Sequence, residues 1–238
     1  MTVRIGITGE SGFIGAHLAA HVRCDRRFRR IPFERSFFRS SRKLAEFTAG
    51  CDAIVHLAGE SRNPDGEALR RINVTLTKML ASAASAAKNP PCVFLGSTTH
   101  ISKNTPYHES KRISWNILKT ELPHAVELLM PNTFGPCGRP FFNSVVSTFC
   151  FQAAHGETPP RIDPVTLKLI YIDDLCRMIL DEIAAGFETR TSVIAHTMEI
   201  TLPELWAKLD SWRHTETMPP LPTAFDAELW NTFRSYRS

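Results

Sequence analysis

The chain opens on an apolar run, Val3-Arg4-Ile5-Gly6-Ile7-Thr8, that leads directly into Gly9-Glu10-Ser11-Gly12-Phe13-Ile14-Gly15. Three glycines spaced three apart separate this strand-like segment from a helix-like one, Ala16-His17-Leu18-Ala19-Ala20. Strand, glycine turn and helix in that order bring backbone N–H groups to a helix N-terminus, where partial positive charge favours a pyrophosphate. Gly9 permits the tight turn, Gly12 keeps a Cβ away from the phosphates, and Gly15 allows close helix packing. The context turns a weak motif into a dinucleotide-binding fingerprint.

The rest of the first half alternates in the same sense. Strands are predicted at 3–8, near Arg30-Ile31-Pro32-Phe33, at Cys51–Gly59, Cys92–Gly96 and Ala125–Met130. Helices are predicted at 13–22, 41–49, 67–88 and from Tyr107 to about 120, the long one stopped by Asn89-Pro90-Pro91. Such alternation argues for an α/β fold, a Rossmann-type doubly wound parallel sheet. Beyond Pro131 the pattern loosens, with helices at 142–154, 173–186, 202–212 and 224–236 and short strands near 167–171 and 193–196. The expected layout is a single unit over 1–238, with a dinucleotide-binding core over about 1–135. A small C-terminal substrate-binding lobe over about 136–238 is interleaved with it.

Composition narrows the setting. No run approaches the ~18 apolar residues of a membrane span, and the charged, glycine-rich start is no signal peptide. The six cysteines are scattered without a C-x-x-C pair, as suits reduced thiols in the cytoplasm and neither zinc nor a disulfide framework. The net charge of +4 is uneven: residues 23–43 hold nine basic side chains against Asp25 and Glu34. No nucleic-acid-binding motif accompanies that segment. It reads as a solvated helix end and loop or as a pocket edge for a phosphorylated ligand, two compatible readings.

Chemistry concentrates at Tyr107-His108-Glu109-Ser110-Lys111, where a phenol and an ammonium four residues apart share one helix face. A phenol near its ordinary pKa of ~10 is a poor acid–base group at neutral pH, and a nearby cation brings it into range. Gly96-Ser97-Thr98-Thr99 offers hydroxyls outside the carboxyl end of a parallel strand, where such folds bind ligands.

With these residues in place the chain resembles the extended short-chain dehydrogenase/reductases, the NAD-dependent epimerase/dehydratase family. The resemblance spans nearly the whole chain. It rests on Thr8-Gly9-x-x-Gly12-Phe13-Ile14-Gly15, His56-Leu57-Ala58-Gly59, Asn73-Val74, the hydroxyl cluster, Tyr107-x-x-x-Lys111, Pro131-Asn132-Thr133-Phe134-Gly135-Pro136 and Tyr171-Ile172-Asp173-Asp174. The segment Asn143–Cys150, and the short spacing from the hydroxyls to Pro106-Tyr107, resemble one branch in particular. That branch is the N-terminal reductase domain of bacterial two-domain enzymes that make a UDP-N-acetyl-L-fucosamine precursor for capsular polysaccharide.

The resemblance implies NADPH-dependent reduction of a nucleotide-linked, UDP-type 4-keto-6-deoxy sugar. Tyr107 would be the general acid, Lys111 would bind the nicotinamide ribose and tune Tyr107, and Thr98 would orient the carbonyl. Gly9, Gly12, Phe13, Ile14, Gly15, Leu57, Ala58 and Gly59 would line the cofactor. Thr99, His100, Asn132 and Asn143 would meet the substrate, while Asn73 is read as a structural anchor. A homodimer through the helices at 67–88 and 107–120 is also implied.

Three departures matter. Thr98 is followed by Thr99-His100 and not by the Asp-Glu pair of the 4,6-dehydratases, which argues against dehydration. No cupin domain follows the reductase region, so the epimerisation assigned to it is not expected. Gly96 and Thr98 stand where a serine run is usual, and threonine can do the same work.

After the second strand an acidic residue favours NAD and an arginine favours NADP. Glu34-Arg35-Ser36 contains both, and the surrounding basic charge favours NADP(H) over NAD(H) through Arg35. Two alternatives stay open: an NAD-dependent nucleotide-sugar 4-epimerase, and a non-catalytic dinucleotide sensor or scaffold. Bland readings suffice elsewhere: His17 and His21 as packing or surface residues, Lys168 as an exposed strand residue, Asp173-Asp174 as a helix cap. No metal site is read from the sequence.

Overall fold

The computed structural model describes residues 2–237. Its chain divides into two compact units, Met1–Met130 with Cys176–Ile194, and Pro131–Leu175 with Ala195–Ser238.

The first unit is built on a six-stranded sheet of order β2-β1-β3-β4-β5-β8, every pairing parallel. Its strands are β1 (Val3–Thr8), β2 (Phe28–Ile31), β3 (Ala53–His56), β4 (Cys92–Thr98), β5 (Ala125–Met130) and β8 (Arg190–Val193). Helices α1 (Phe13–Cys24), α2 (Ser41–Ala49), α3 (Gly66–Ser85) and α4 (Pro106–Glu121) connect them. β3 is buried along its whole length, as a central parallel strand covered on both faces must be. Because β2 lies on one side of β1 and β3 on the other, the topology reverses at the carboxyl ends of β1 and β3. A crevice for a ligand forms at such a reversal.

One apolar layer lies under α2, α3 and α4: Leu44, Phe47, Leu80, Ala84 and Leu118 close over Ile54, Val93, Leu95 and Ala125. The helices start where side chains satisfy their free N–H groups. Ser40 accepts from the Lys43 N–H and Asp65 from the Ala68 N–H, while Pro106 opens α4.

The second unit carries a three-stranded sheet of β6 (Asn132–Phe134), β7 (Thr166–Tyr171) and β9 (Met198–Thr201) in the order β6-β7-β9. Its helices are α5 (Val145–Ala154), α7 (Leu202–Trp212) and α8 (Ala224–Arg234), and α6 (Ile172–Ala184) crosses the boundary in sequence. Reciprocal capping boxes, Thr201 with Glu204 and Thr223 with Asp226, begin α7 and α8. The Lys208 ammonium meets the buried Asp226 carboxylate at 2.8 Å, and together with the cap this holds the carboxyl below its usual range.

Several boundaries differ from those predicted. β2 ends at Ile31, because Pro32 has no N–H to give the ladder. The strand expected near 193–196 is β8 at 190–193, and it belongs to the large sheet. β6, β9 and a 3-10 turn over Arg35–Arg39 were not foreseen. Asp173 and Asp174 lie inside the first turn of α6 and not at its cap, where their charge still suits the helix dipole. Among the described residues no helix is long and apolar enough to cross a membrane.

Candidate active site

The glycine turn follows β1 with Gly9 at φ +78°, a conformation that side chains resist. A Cβ there would also come within 2.7 Å of the Ala58 nitrogen, so Gly9 lies directly against the Leu57-Ala58 segment after β3. A Cβ on Gly15 would sit 2.3 Å from the Gly9 carbonyl oxygen. The third glycine therefore lets α1 pack on the backbone of the loop itself. The Gly12 N–H donates to the Gly9 carbonyl at 2.9 Å, and Gly12 begins α1 with no side-chain cap. No acidic residue stands in the first turn of α1. An uncapped helix N-terminus behind a Cβ-free cradle fits the pyrophosphate of a dinucleotide. Phe13, Ile14, Leu57 and Ala58 are half-buried around it and Gly59 is exposed.

Arg35 opens the exposed 3-10 turn after β2. Beside it the Ser36 hydroxyl donates to the Glu34 carboxylate at 3.0 Å. Phe33, Phe37 and Phe47 pack edge-on or tilted below, at centroid separations of 4.8–6.3 Å. Glu10 of the glycine turn reaches Arg30 of β2 at 2.7 Å, an ion pair that nothing in the sequence signalled. Part of the local positive charge is matched in the same way: Arg27 pairs with Asp25 and Asp181, and Arg42 with Glu46.

Tyr107 and Lys111 lie in the first two turns of α4, and the Lys111 Nζ sits 5.7 Å from the centre of the Tyr107 ring. Lys111 is only 8% exposed, and burial pushes its ammonium down to about 8 against the raising effect of Glu127. Burial pushes the Tyr107 phenol above its ordinary value, so at neutral pH this group carries its proton. Thr98 ends β4, its hydroxyl accepting from the His100 N–H at 3.2 Å, with Thr99 and His100 exposed just beyond.

Arg112, which the sequence did not single out, and Asn73, read there as a structural anchor, hold α4 in place. The Arg112 guanidinium donates to the carbonyls of Ile101 and Lys103 at 2.7 and 3.0 Å, pinning the β4–α4 loop onto α4. Asn73, buried on α3, accepts from the Glu60 N–H at 2.7 Å and donates to the Glu60 carbonyl and the Ser110 hydroxyl. Ser110 in turn donates to the Tyr107 carbonyl at 2.7 Å. Asn73 thus ties the turn after β3 to the helix of Tyr107, an anchoring role. Deeper still, His56 joins Thr8 at 2.7 Å and Thr77 at 3.1 Å, and Thr77 joins Ser114 of α4 at 2.9 Å. Burial and the nearby Lys111 charge push His56 down to about 3, leaving it neutral.

Asn132 begins β6 and Asn143 precedes the Ser144 cap of α5, so both belong to the second unit. Both are exposed. Lys168, on β7, pairs with Glu199 at 3.5 Å.

The family described as "NAD dependent epimerase/dehydratase family" matches residues 5–195. A UDP-2-acetamido-2,6-beta-L-arabino-hexul-4-ose reductase of Pseudomonas aeruginosa is 26% identical over 244 residues, covering 98% of this chain and 65% of that protein. The capsular polysaccharide assembling protein CapF of Staphylococcus aureus superposes with a TM-score of 0.80 at 26% identity, over 98% of this chain and 64% of CapF. RMD of Pseudomonas aeruginosa, solved with NADPH, superposes with a TM-score of 0.84 at 19% identity over 100% of this chain and 98% of its own. The chain therefore spans just under two thirds of the first two relatives and nearly all of the third.

Proposed function

The chain belongs to the NAD dependent epimerase/dehydratase family, and on that premise we propose that it is an NADPH-dependent reductase of a UDP-linked 4-keto-6-deoxy sugar. The observation that carries this reading is the buried Lys111 ammonium 5.7 Å from the Tyr107 ring, on the helix that follows the hydroxyl-bearing strand end. The 26% identity to a reductase of a UDP-linked ketosugar, over 98% of this chain, supports the substrate class.

A reduced nicotinamide, when bound, would supply the hydride. Tyr107 donates its phenolic proton to the carbonyl oxygen, the direction for which a protonated phenol is the right starting state. Lys111 stabilises the phenolate so formed and holds the ribose hydroxyls through its N–H groups. Thr98 offers its hydroxyl to the same carbonyl oxygen, and Thr99 and His100 border the sugar. The second unit acts as the substrate lobe, with Asn132 and Asn143 contacting sugar or phosphates. The glycine cradle would hold the pyrophosphate, and Arg35 would meet the 2′-phosphate of NADPH. The enzyme would work in the cytoplasm as a homodimer joined through α3 and α4.

The test is to mix the purified protein with NADPH and a panel of UDP-linked 4-keto-6-deoxy sugars. Loss of the reduced-nicotinamide absorbance is the expected result, with NADH the poorer donor. Arg35→Ala should narrow the NADPH-over-NADH ratio roughly 10–100-fold, the worth of one charge-assisted hydrogen bond. Cofactor retained through purification with no net NADPH consumption would instead mark a 4-epimerase. Silence across the whole panel would leave the family and the dinucleotide site without this reaction.

A further inference from the structure

We infer that Glu127 is a positioning residue for the Tyr107–Lys111 pair: it is the buried carboxylate on β5 that supplies Lys111 with its counter-charge. Sheet register places it. Thr8, His56, Leu95, Glu127 and Thr191 stand side by side across β1, β3, β4, β5 and β8. Laterally paired residues project to the same face of a sheet. That face packs against α3 and α4, because His56 bonds to Thr77 of α3 and Leu95 lies in the apolar layer with Leu118 of α4. Glu127 therefore points into the layer that holds Lys111.

Its surroundings give no simpler reason for a carboxylate there. Glu127 is 5% exposed; one oxygen accepts from the Thr191 hydroxyl at 3.3 Å, and the other is buried without a hydrogen-bond partner. The Ser97 hydroxyl on β4 also favours the ionised form. Leucine or isoleucine would pack beside Leu95 at lower cost, since a buried carboxylate needs compensation. Burial pushes the Glu127 carboxyl above its ordinary value, and the Ser97 and Thr191 hydroxyls, then the outer Lys119 and Lys111 of α4, work against that shift. Lys111, for its part, forms no direct ion pair among the described residues. On its other side, His56 of β3 is held neutral, which leaves Glu127 as the opposing charge. The pair acts across the layer without contact, so Lys111 keeps its N–H groups available while staying charged.

This inference rests on the proposed reaction only for why the charge on Lys111 matters, and its test needs neither cofactor nor substrate. In protein labelled with [ε-13C]lysine, the Lys111 resonance, assigned by its loss in Lys111→Arg, is titrated by NMR. Glu127→Gln keeps the shape and removes the charge, and the Lys111 midpoint should move acid by about one pH unit. Glu127→Asp should move it less. In the assay the alkaline limb of kcat/KM should shift by the same amount. An unmoved midpoint in a Glu127→Gln protein with wild-type melting overturns the inference. Should that variant fail to fold, the Glu127 carboxyl is titrated in Lys111→Met, where loss of the positive charge should move its midpoint alkaline, and an unmoved Glu127 overturns the inference equally. A shifted midpoint in a protein that reduces no sugar would sink the proposed reaction and leave Glu127 in its role.

Discussion

Tyr107→Phe is expected to lower kcat by about 10²–10⁴-fold, the range for losing a positioned general acid. Binding and fold should survive. The ring would keep its edge-on contact with His108 at 5.3 Å and its place 5.7 Å from the Lys111 ammonium. The only atom removed is the hydroxyl oxygen, whose proton the reaction consumes. Dinucleotide affinity by calorimetry and the melting temperature should therefore match wild type, while single-turnover oxidation of NADPH slows. A phenylalanine variant with undiminished kcat would show that Tyr107 is not the proton donor.

Gly15→Ala should have the largest effect on cofactor binding. The new methyl would stand 2.3 Å from the Gly9 carbonyl oxygen and 2.8 Å from the Glu10 Cα, both backbone atoms. Neither can yield without displacing the turn that cradles the pyrophosphate. We expect at least about a hundredfold loss of dinucleotide affinity, with overpacking costing about 1–3 kcal/mol of stability. Calorimetric titration and urea unfolding measure the two losses separately. Gly156→Ala is the control: Gly156 has φ +73° but open space around it, so only conformational strain remains. That change should cost about 1 kcal/mol and leave dinucleotide affinity untouched. Equal affinity in the two variants would mean that the glycine turn is no cradle.

Local patterns carried much of the architecture. β1 and β5, α2 and α7 begin and end at the residues predicted, because apolar periodicity, prolines and caps are properties of neighbouring residues. The same holds for the glycine turn and for Tyr107 with Lys111, whose spacing of four puts them on one helix face wherever the helix lies. The misses share a different cause. Asn132-Thr133-Phe134 carries too few residues for a periodic signal and becomes a strand only by pairing with Leu169–Tyr171, far along the chain. Arg190–Val193 alternates half-buried with exposed residues, so nothing in it announces the edge of a buried parallel sheet.

The site shows the same division more sharply. Arg112 follows Lys111 in sequence, and its neighbours give no hint that its guanidinium clamps the loop carrying Ile101 and Lys103. Glu127 reads as one polar residue in the strand Ala125–Met130, and Glu10 as one polar residue in a glycine turn. Arg30 looks like another member of a basic run until the turn brings Glu10 within 2.7 Å. By itself the sequence determined the helices and the strands of the core up to Met130, the cradle at Gly9–Gly15 and the face shared by Tyr107 and Lys111, since these depend on dihedral preference and spacing along a few residues. Only the tertiary structure decided which charges are buried together and which loops are clamped, because desolvation and hydrogen-bond partnership are settled by atoms that folding brings from distant strands.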